Sequence, residues 1–311
     1  MQNAQSNADC SSPVPNSPAC HSVGLIAGWG RYPIAVAEAL RRQGHRIYCV
    51  ALKDHADPVL ETLCDDVQWT GLAKIGHAIR YLQRNGVRDA VMAGKVFKLR
   101  LFQPRVWLKL APDWRTVRLF WSHFIGTKKD RKDDTLLLAI VHAFADDGIA
   151  IRPATDYAPQ LLVKFGQLTR LGPTRAQQKD IDFGWQLAKE IGRIDVGQSV
   201  IVKDRACLAV EAIEGTDECI RRAGQLCPSG GFTVVKLAKP QQDMRFDVPT
   251  VGLWTLQTMV AAGAKMLVVE AGKTVLIDEP AFLDFANQHR LIVVSLDSAS
   301  SALRLIRESA A

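Results

Sequence analysis

Short apolar runs alternate with amphipathic stretches along most of the chain, which is the pattern of an α/β protein. The stretch VGLIAGWGRYPIAVAEALRRQGHRIYCVAL reads as a strand, a glycine turn, a helix that ends near Gly44 and a second strand. The runs VQWTG and DAVMAG, on either side of a helical stretch, continue the alternation. We therefore predict an N-terminal Rossmann-like domain with a parallel, doubly wound sheet.

The second half of the chain repeats this pattern with new strands. A helix is predicted over QKDIDFGWQLAKEIGRID, and the runs SVIV, FTVVKLAK, KMLVVEAG and LIVVSL alternate with further helical stretches. A second α/β domain follows from this. The predicted organisation is a disordered leader over 1–22, the first domain over 23–155, a linker region over 156–173 and the C-terminal domain over 174–311.

Length and composition are those of a globular protein, with 311 residues of which 48% are hydrophobic. No apolar run reaches the roughly 18–20 residues of a membrane-spanning helix, and the start has no signal-peptide pattern. Seven cysteines without a CxxC pair predict reduced thiols. We expect a cytoplasmic protein.

The net charge indicates the kind of partner, because a formal net charge of +7 favours anionic molecules. Between Lys95 and Lys132 the chain carries eleven Lys or Arg residues against only Asp113 and Asp130, interleaved with aromatic residues. Such a basic segment can bind anionic lipid headgroups or stack against single-stranded nucleic acid. It can equally be a core helix with a solvated basic face.

The turn GLIAGWGRYP places Gly28 and Gly30 after the first strand, as a dinucleotide fingerprint does, but Pro33 occupies the third small position. This mismatch weakens the case for a nicotinamide cofactor. The mismatch is compatible with a turn that binds phosphate or ribose at a helix N-terminus. A tight structural turn is the alternative.

Carboxylates follow the predicted strands of the second half. EAIEGTDE carries Glu211 and Asp217, KPQQDMRFD carries Asp243 and Asp247, and Glu270 ends the strand VVE. Open α/β folds place ligands at the ends of their strands, and oxygen ligands that leave several waters in place suit Mg²⁺. In the alternative, Asp217 caps the following helix and Asp247 organises a turn.

Six blocks in this order resemble the LpxI family of UDP-2,3-diacylglucosamine pyrophosphatases, which act in lipid A biosynthesis: GLIAGWGRYP, MAGKV, DDTLL, AVEAIEGTDE, KPQQDMRFDVPTVG and VVEAG. The resemblance covers about residues 23–297, and its most specific parts are EGTD and KPxQDxRFDxPTxG. Trp29 and Gln241 stand where relatives usually have glycine. The resemblance implies a two-domain enzyme, with its active site in the cleft between the domains. It also implies Mg²⁺-dependent hydrolysis of the substrate's pyrophosphate to UMP and 2,3-diacylglucosamine 1-phosphate.

The resemblance also implies roles for residues in these blocks. The first catalytic candidate is Asp243, which would hold Mg²⁺ or orient the attacking water, and further catalytic candidates are Asp217, Lys239 and Arg245. The candidates for holding Mg²⁺ are Asp243, Asp247 and Glu211. The substrate-binding candidates are Gly28, Gly30, Gly94, Lys95, Gly215, Thr216, Gln242 and Thr250.

The implied substrate is anionic and acylated, so its enzyme must reach a membrane surface without spanning it. We expect peripheral binding at the inner face of the inner membrane, with residues 95–132 contacting either the membrane or the acyl chains. We expect no nucleic-acid partner, and a homodimer remains open. The rival functions are a nicotinamide-dependent reductase, resting on the glycine turn, and a non-catalytic protein that binds anionic lipid or nucleotide, resting on the charge.

Overall fold

The structure is a computed structural model that describes residues 21–96, 112–125 and 133–297. Except for His21 and Ser22, the predicted leader lies outside the described residues, and so does most of the basic segment over 95–132. In the described part of the chain, no helix is both long enough and apolar enough to cross a membrane.

The first domain is built on a five-stranded sheet with the order β3-β2-β1-β4-β5, in which every pair is parallel. This confirms the Rossmann-like prediction. The strand order reverses between β1 and β4, and ligands bind at such a switch point in open α/β sheets. The strands are β1 (Ser22–Ala27), β2 (Arg46–Leu52), β3 (Asp66–Thr70), β4 (Asp89–Ala93) and β5 (Ala150–Arg152). The helices are α1 (Arg31–Arg42), α2 (Leu60–Leu63), α3 (Ile75–Arg84), α4 (Trp114–Ile125), α5 (Asp133–Asp146) and α6 (Ala154–Tyr157).

Helices cover both faces of this sheet. On one face α1 buries Ile34 and Leu40, and on the other face α3 buries Ile79 and Leu82. With Ala37 of α1 and with Ile75 and Ala78 of α3, these residues recur at the three- and four-residue spacing that places them on one side of each helix. Each fully buried side chain of this kind stabilises the fold by about 1.5–3 kcal/mol.

The second domain has a mixed sheet with the order β6-β13-β11-β9-β7-β8. The strands β9, β11 and β13 are parallel to one another, β7 is antiparallel to β9, and β8 is antiparallel to β7. The strands are β6 (Gly166–Gln167), β7 (Ser199–Lys203), β8 (Ala206–Val210), β9 (Thr233–Lys236), β11 (Met266–Glu270) and β13 (Ile292–Leu296), while β10 (Thr250–Val251) and β12 (Val275–Leu276) form a separate parallel pair. The helices are α7 (Arg175–Arg193), α8 (Thr216–Leu226), α9 (Leu253–Ala262) and α10 (Glu279–Gln288).

This sheet is also covered on both faces, which confirms the second α/β domain. On one face α7 packs Ile181 and Trp185 into a cluster with Val235. On the other face the helices α8, α9 and α10 bury apolar side chains, among them Phe282. The helix α7 begins at a capping box, because the Thr174 hydroxyl accepts from the main-chain N-H of Gln177 and the Gln177 side chain accepts in return.

The two domains are in contact through chain segments that follow β9. Residues 237–249, here called the crossing loop, bring Phe246 and Val248 against the apolar clusters of the first domain, where Val275 of β12 is also buried. Arg31 at the start of α1 donates to Asp278 at 3.0 and 3.3 Å. The end of β9 therefore faces the first domain. The exact boundaries of leader, domains and linker stay predictions.

Candidate active site

Polar residues gather at one end of the second sheet, where several strands have their C-termini, and this end is here called the sheet edge. Since β8, β9 and β11 run in the same direction, their C-terminal ends share this edge. Lys236 ends β9 and lies opposite Ser199, the first residue of β7. The main-chain N-H of Glu211, just after β8, donates to the Ser199 carbonyl at 2.9 Å. Three chain segments thus meet at one place.

Lys236 is buried at this edge, with only 4% of it exposed. Its Nζ donates to Thr216 Oγ1 at 3.0 Å and to the Thr250 carbonyl at 3.1 Å. Burial lowers the pKa of Lys236, and nearby carboxylates oppose that shift without reversing it. The charged side chains close enough to act on its pKa are Glu211, Lys95, Asp217 and Asp247.

The EGTD block forms the start of α8 beside this lysine. Thr216 donates from Oγ1 to both carboxylate oxygens of Glu211 at 3.1 Å, and Glu211 is 6% exposed. Gly215 has φ of 84° and precedes the helix, with no side chain capping the helix start. Asp217 Oδ1 is buried and has no hydrogen-bond partner among the described residues. A buried carboxylate oxygen in this state calls for a cation or a donor.

The crossing loop carries a tight ion pair. Arg245 donates from Nε to both oxygens of Asp243 at 2.9 and 3.0 Å, and from Nη2 to Oδ2 at 2.5 Å. This arrangement holds the pKa of Asp243 below its ordinary value. The main-chain N-H of Asp247 donates to the Asp243 carbonyl at 3.0 Å, so the loop turns tightly at this point.

The other polar residues of the crossing loop fasten its first turn. Lys239 Nζ donates to Asp195 Oδ1 at 2.7 Å, just beyond the end of α7. The main-chain N-H of Lys239 donates to Gln242 Oε1 at 2.8 Å. The side chain of Lys239 is thus engaged with α7, and that of Gln242 with the loop itself.

The first domain presents its switch point to this edge. Trp29 and Lys95 pair through two main-chain hydrogen bonds of 2.8 and 2.9 Å, which join the ends of β1 and β4. A Cβ on Gly28 would lie 2.8 Å from the Lys95 carbonyl oxygen, and a Cβ on Gly94 would lie 2.8 Å from Gly28 C. Two of the predicted glycines therefore serve close backbone approach. Gly30 is different, because nothing lies within 4 Å of its Cβ position and it precedes α1 without a side-chain cap.

The structure thus gathers six of the predicted site residues around Lys236: Lys95, Glu211, Thr216, Asp217, Asp247 and Thr250. Asp243 and Arg245 form their own pair in the crossing loop, while Lys239 pairs with Asp195. The roles of these residues in catalysis and binding stay predictions.

Comparison with known proteins covers nearly the whole described chain. Sequence models of the LpxI N-terminal domain and the LpxI C-terminal domain match residues 22–161 and 164–294. A UDP-2,3-diacylglucosamine pyrophosphatase LpxI from Caulobacter vibrioides is 30% identical over 283 residues, which are 88% of this chain and 97% of that protein. The chain belongs to the LpxI family.

A solved biotin carboxylase complex from Campylobacter jejuni covers 67% of this chain and 42% of its own, at 15% identity and a TM-score of 0.21. That TM-score is too low to support a conclusion. The LpxI assignment rests on the sequence comparisons alone.

The Mg²⁺ expected for an LpxI protein was tested against the residues at this edge. No group of three or more His, Cys, Asp or Glu side chains within the described ranges is arranged to hold a metal ion. The predicted set of Asp243, Asp247 and Glu211 is therefore not assembled as a ligand group. The partnerless Asp217 Oδ1, which like Asp247 acts on Lys236, does fit a cation that takes one or two carboxylates and completes its shell with water and phosphate oxygens. The predicted ligand assignment stays a prediction.

Two residues of this LpxI site were missing from the predicted site residues. Lys236 has a signal in the sequence, since a lysine inside the apolar run FTVVKLAK must find partners if the run is a buried strand. Glu270, at the end of a strand, is a candidate polar site group in the sequence without a predicted catalytic, binding or metal role. It is 1% exposed, accepts from Lys189 at 2.7 Å and Lys273 at 3.0 Å, and accepts the main-chain N-H of Ala238 at 3.1 Å. It anchors the start of the crossing loop.

Burial alone would raise the pKa of Glu270, but the hydrogen bonds from Lys189 and Lys273 outweigh burial and lower it. The carboxylate is therefore ionised at neutral pH. Because its partners are structural, we place Glu270 outside the reacting groups.

Proposed function

We propose that this protein hydrolyses the pyrophosphate bond of UDP-2,3-diacylglucosamine, releasing UMP and 2,3-diacylglucosamine 1-phosphate. Its membership of the LpxI family supports this, and so does the activity named for the Caulobacter vibrioides relative. The observation that carries the proposal is the cluster of three carboxylates and two lysines at the sheet edge that faces the first domain. A nicotinamide-dependent reductase, or a non-catalytic protein that binds anionic lipid or nucleotide, has no need of that cluster.

The pyrophosphate would lie between the sheet edge and the switch point. Lys95 offers a positive charge there, and the open helix start after Gly30 offers main-chain N-H groups to a phosphate. The reaction moves negative charge onto the leaving phosphate, and fixed cations and N-H groups stabilise that change. We keep Gly30, Lys95, Gly215, Thr216 and Thr250 as substrate-side residues.

Asp243 is the residue that we assign to the attacking water. Its pKa is held low by Arg245, so it is ionised at neutral pH and acts by orienting the water through a hydrogen bond. Arg245 fixes the direction of the carboxylate. We assign Lys239 and Gln242 to holding the loop in place, since their side chains are engaged with Asp195 and with the loop itself.

Mg²⁺ would supply neutralisation of the phosphoryl oxygens when bound. The residues that we propose to hold it are Asp217 on α8 and Asp247 in the crossing loop, where the main-chain N-H of Asp247 donates to the Asp243 carbonyl. Glu211 is already engaged by the Thr216 hydroxyl, so we place it beside the ion as the group that fixes the start of α8.

The acyl chains of the substrate place the reaction at a membrane surface. We propose peripheral binding at the inner face of the inner membrane, carried by the eleven Lys and Arg residues between positions 95 and 132. Binding that depends on anionic lipid and weakens with salt would support this. A homodimer stays a prediction.

The test is release of UMP from UDP-2,3-diacylglucosamine in detergent micelles, with Mg²⁺ or with EDTA. We expect release by the wild type with Mg²⁺ and almost none with EDTA. Asp243→Ala should lose at least about 100-fold in kcat, the lower range for removing a positioned catalytic group. Asp284→Ala is the matched control, because Asp284 is an exposed carboxylate on α10.

Circular dichroism spectra of both variants should match the wild type. Absence of UMP release by the wild type, where a control pyrophosphatase releases it, would refute the proposed activity. Full activity of Asp243→Ala would leave the activity standing and refute the assignment of the water to Asp243.

A further inference from the structure

Lys236 is a charged residue in a strand that is otherwise built for the core. β9 is fully buried along its length, and its neighbours Val234 and Val235 have no exposed surface. Burying an ammonium costs several kcal/mol unless it is paired and hydrogen-bonded. The partners of the Lys236 ammonium must therefore offset the cost of its burial.

Those partners belong to two other segments of the site. The Thr216 hydroxyl accepts from Lys236 at 3.0 Å and, since it has one proton, donates that proton to Glu211 at 3.1 Å. The Thr250 carbonyl accepts the second N-H of the ammonium at 3.1 Å. Lys236 thus fixes the start of α8, the direction of the Glu211 carboxylate and the chain at β10.

The charged residues around Lys236 are mostly carboxylates. Three carboxylates act on it, those of Glu211, Asp217 and Asp247, and three like charges gathered at one edge repel one another. Lys95 also acts on Lys236, but it belongs to the first domain, where its main chain pairs with Trp29. The second domain provides the ammonium of Lys236 at this edge.

We infer that Lys236 is a positioning residue of the site, whose buried ammonium holds the start of α8 to β10 and offsets the mutual repulsion of Glu211, Asp217 and Asp247. This rests on the proposed function for its catalytic consequence. Its electrostatic consequence does not depend on the proposed function, and it rests on the hydrogen bonds of Lys236 together with the charges around it.

Replacing the ammonium should separate activity from cation binding. Lys236→Met keeps the length of the stem and removes the charge and the donors. The carboxylates then lose their offset, so a divalent cation should bind more tightly, by about tenfold or more for the loss of one nearby unit charge. Turnover should fall at the same time, because Thr216 and Glu211 lose their fixed positions. A residue with a merely packing role would not tighten cation binding.

The control is Lys203→Met. Lys203 ends β7, the strand next to β9, at the opposite edge of the sheet, and its Nζ also has two oxygen partners, Ser229 Oγ at 3.0 Å and the Gly230 carbonyl at 2.7 Å. It matches Lys236 in residue type, strand position and hydrogen bonding, and it faces none of the three carboxylates. Both its turnover and its cation binding should stay at wild-type values.

The experiment measures binding of Mn²⁺, as a probe for Mg²⁺, by electron paramagnetic resonance on the whole chain without substrate, and kcat and KM in the UMP assay. Support is a folded Lys236→Met with tighter Mn²⁺ binding and a lower kcat than both the wild type and Lys203→Met. Mn²⁺ binding no tighter than that of the wild type, or an unchanged kcat, would overturn the inference.

If Lys236→Met is too unstable to assay, a second measurement tests the inference. Urea unfolding is then followed for Lys236→Gln, for Asp217→Asn and for the two together. If the ammonium offsets the carboxylates, Asp217→Asn recovers part of the loss in urea midpoint caused by Lys236→Gln. Simple addition of the two effects overturns the inference. A wild type that releases no UMP refutes the proposed function, while the Mn²⁺ and urea measurements still decide the role of Lys236.

Discussion

Three glycines at the switch point allow two destabilising effects of an added Cβ to be measured separately. One is a steric clash with neighbouring backbone, and the other is a backbone conformation that disfavours side chains. Gly28 lies outside the left-handed region, but its Cβ would lie 2.8 Å from the Lys95 carbonyl oxygen. Gly30 has φ of 106° with nothing within 4 Å of its Cβ position. Gly94 combines both features, with φ of 95° and a Cβ position 2.8 Å from both Gly28 C and Pro33 Cγ.

The expected costs follow from these geometries. Gly28→Ala forces two backbone segments apart, for which overpacking values of about 1–3 kcal/mol apply. Gly30→Ala adopts a backbone conformation that essentially only glycine uses, also at about 1–3 kcal/mol. Gly94→Ala incurs both and should cost about 2–6 kcal/mol, the sum of the two ranges. With about 2 kcal/mol per molar urea for the denaturant dependence, the midpoints should fall by about 1, 1 and 2 M.

The assay is urea unfolding of the whole chain, followed by far-ultraviolet circular dichroism. Gly44→Ala is the control for strain away from the switch point, because Gly44 has φ of 78° and nothing within 4 Å of its Cβ position. It should lose about 1 kcal/mol. The reasoning is refuted if Gly28→Ala is as stable as the wild type, or if Gly94→Ala loses no more than Gly30→Ala.

Two further predictions concern the crossing loop. Glu270→Gln keeps an acceptor for the Ala238 N-H but leaves Lys189 and Lys273 without a carboxylate, so it should lower the free energy of unfolding by about 2–3 kcal/mol. Glu190→Gln, which breaks an exposed pair, should lose under about 1 kcal/mol by the same urea measurement, and equal losses would contradict the anchoring role. Asp243 has a lowered pKa, so its stabilising contribution is present above about pH 4 and is lost as pH falls through its folded pKa. Asp243→Asn should therefore flatten the acid limb of a plot of urea midpoint against pH, and an unchanged limb would contradict this.

The succession of strands along the chain and the residues at their ends could be predicted from the sequence, because both follow from local periodicity. Glu211 and Gly94 are examples, since each directly follows a strand whose apolar run is plain in the sequence. Partnerships across long separations could not be predicted in this way. Lys239 is a catalytic candidate in the sequence, and only the fold reveals that its Nζ lies 2.7 Å from Asp195 Oδ1. Nothing local indicates this pair, because the partner lies 44 residues away and its position depends on how α7 packs.

The same point explains why Gly28 and Gly30 have different roles although they are two residues apart. The Gly28 position is filled by the backbone of β4's end, which only the sheet order reveals, while Gly30 opens onto the start of α1. The first domain therefore contributes its helix start and Lys95 to the proposed site, and the second domain contributes the carboxylates around Lys236. Since the crossing loop is packed against the first domain through Phe246, the carboxylate of Asp243 is placed by contacts of both domains. A substitution that loosens the domain contact should thus impair turnover even where every residue around Lys236 is intact.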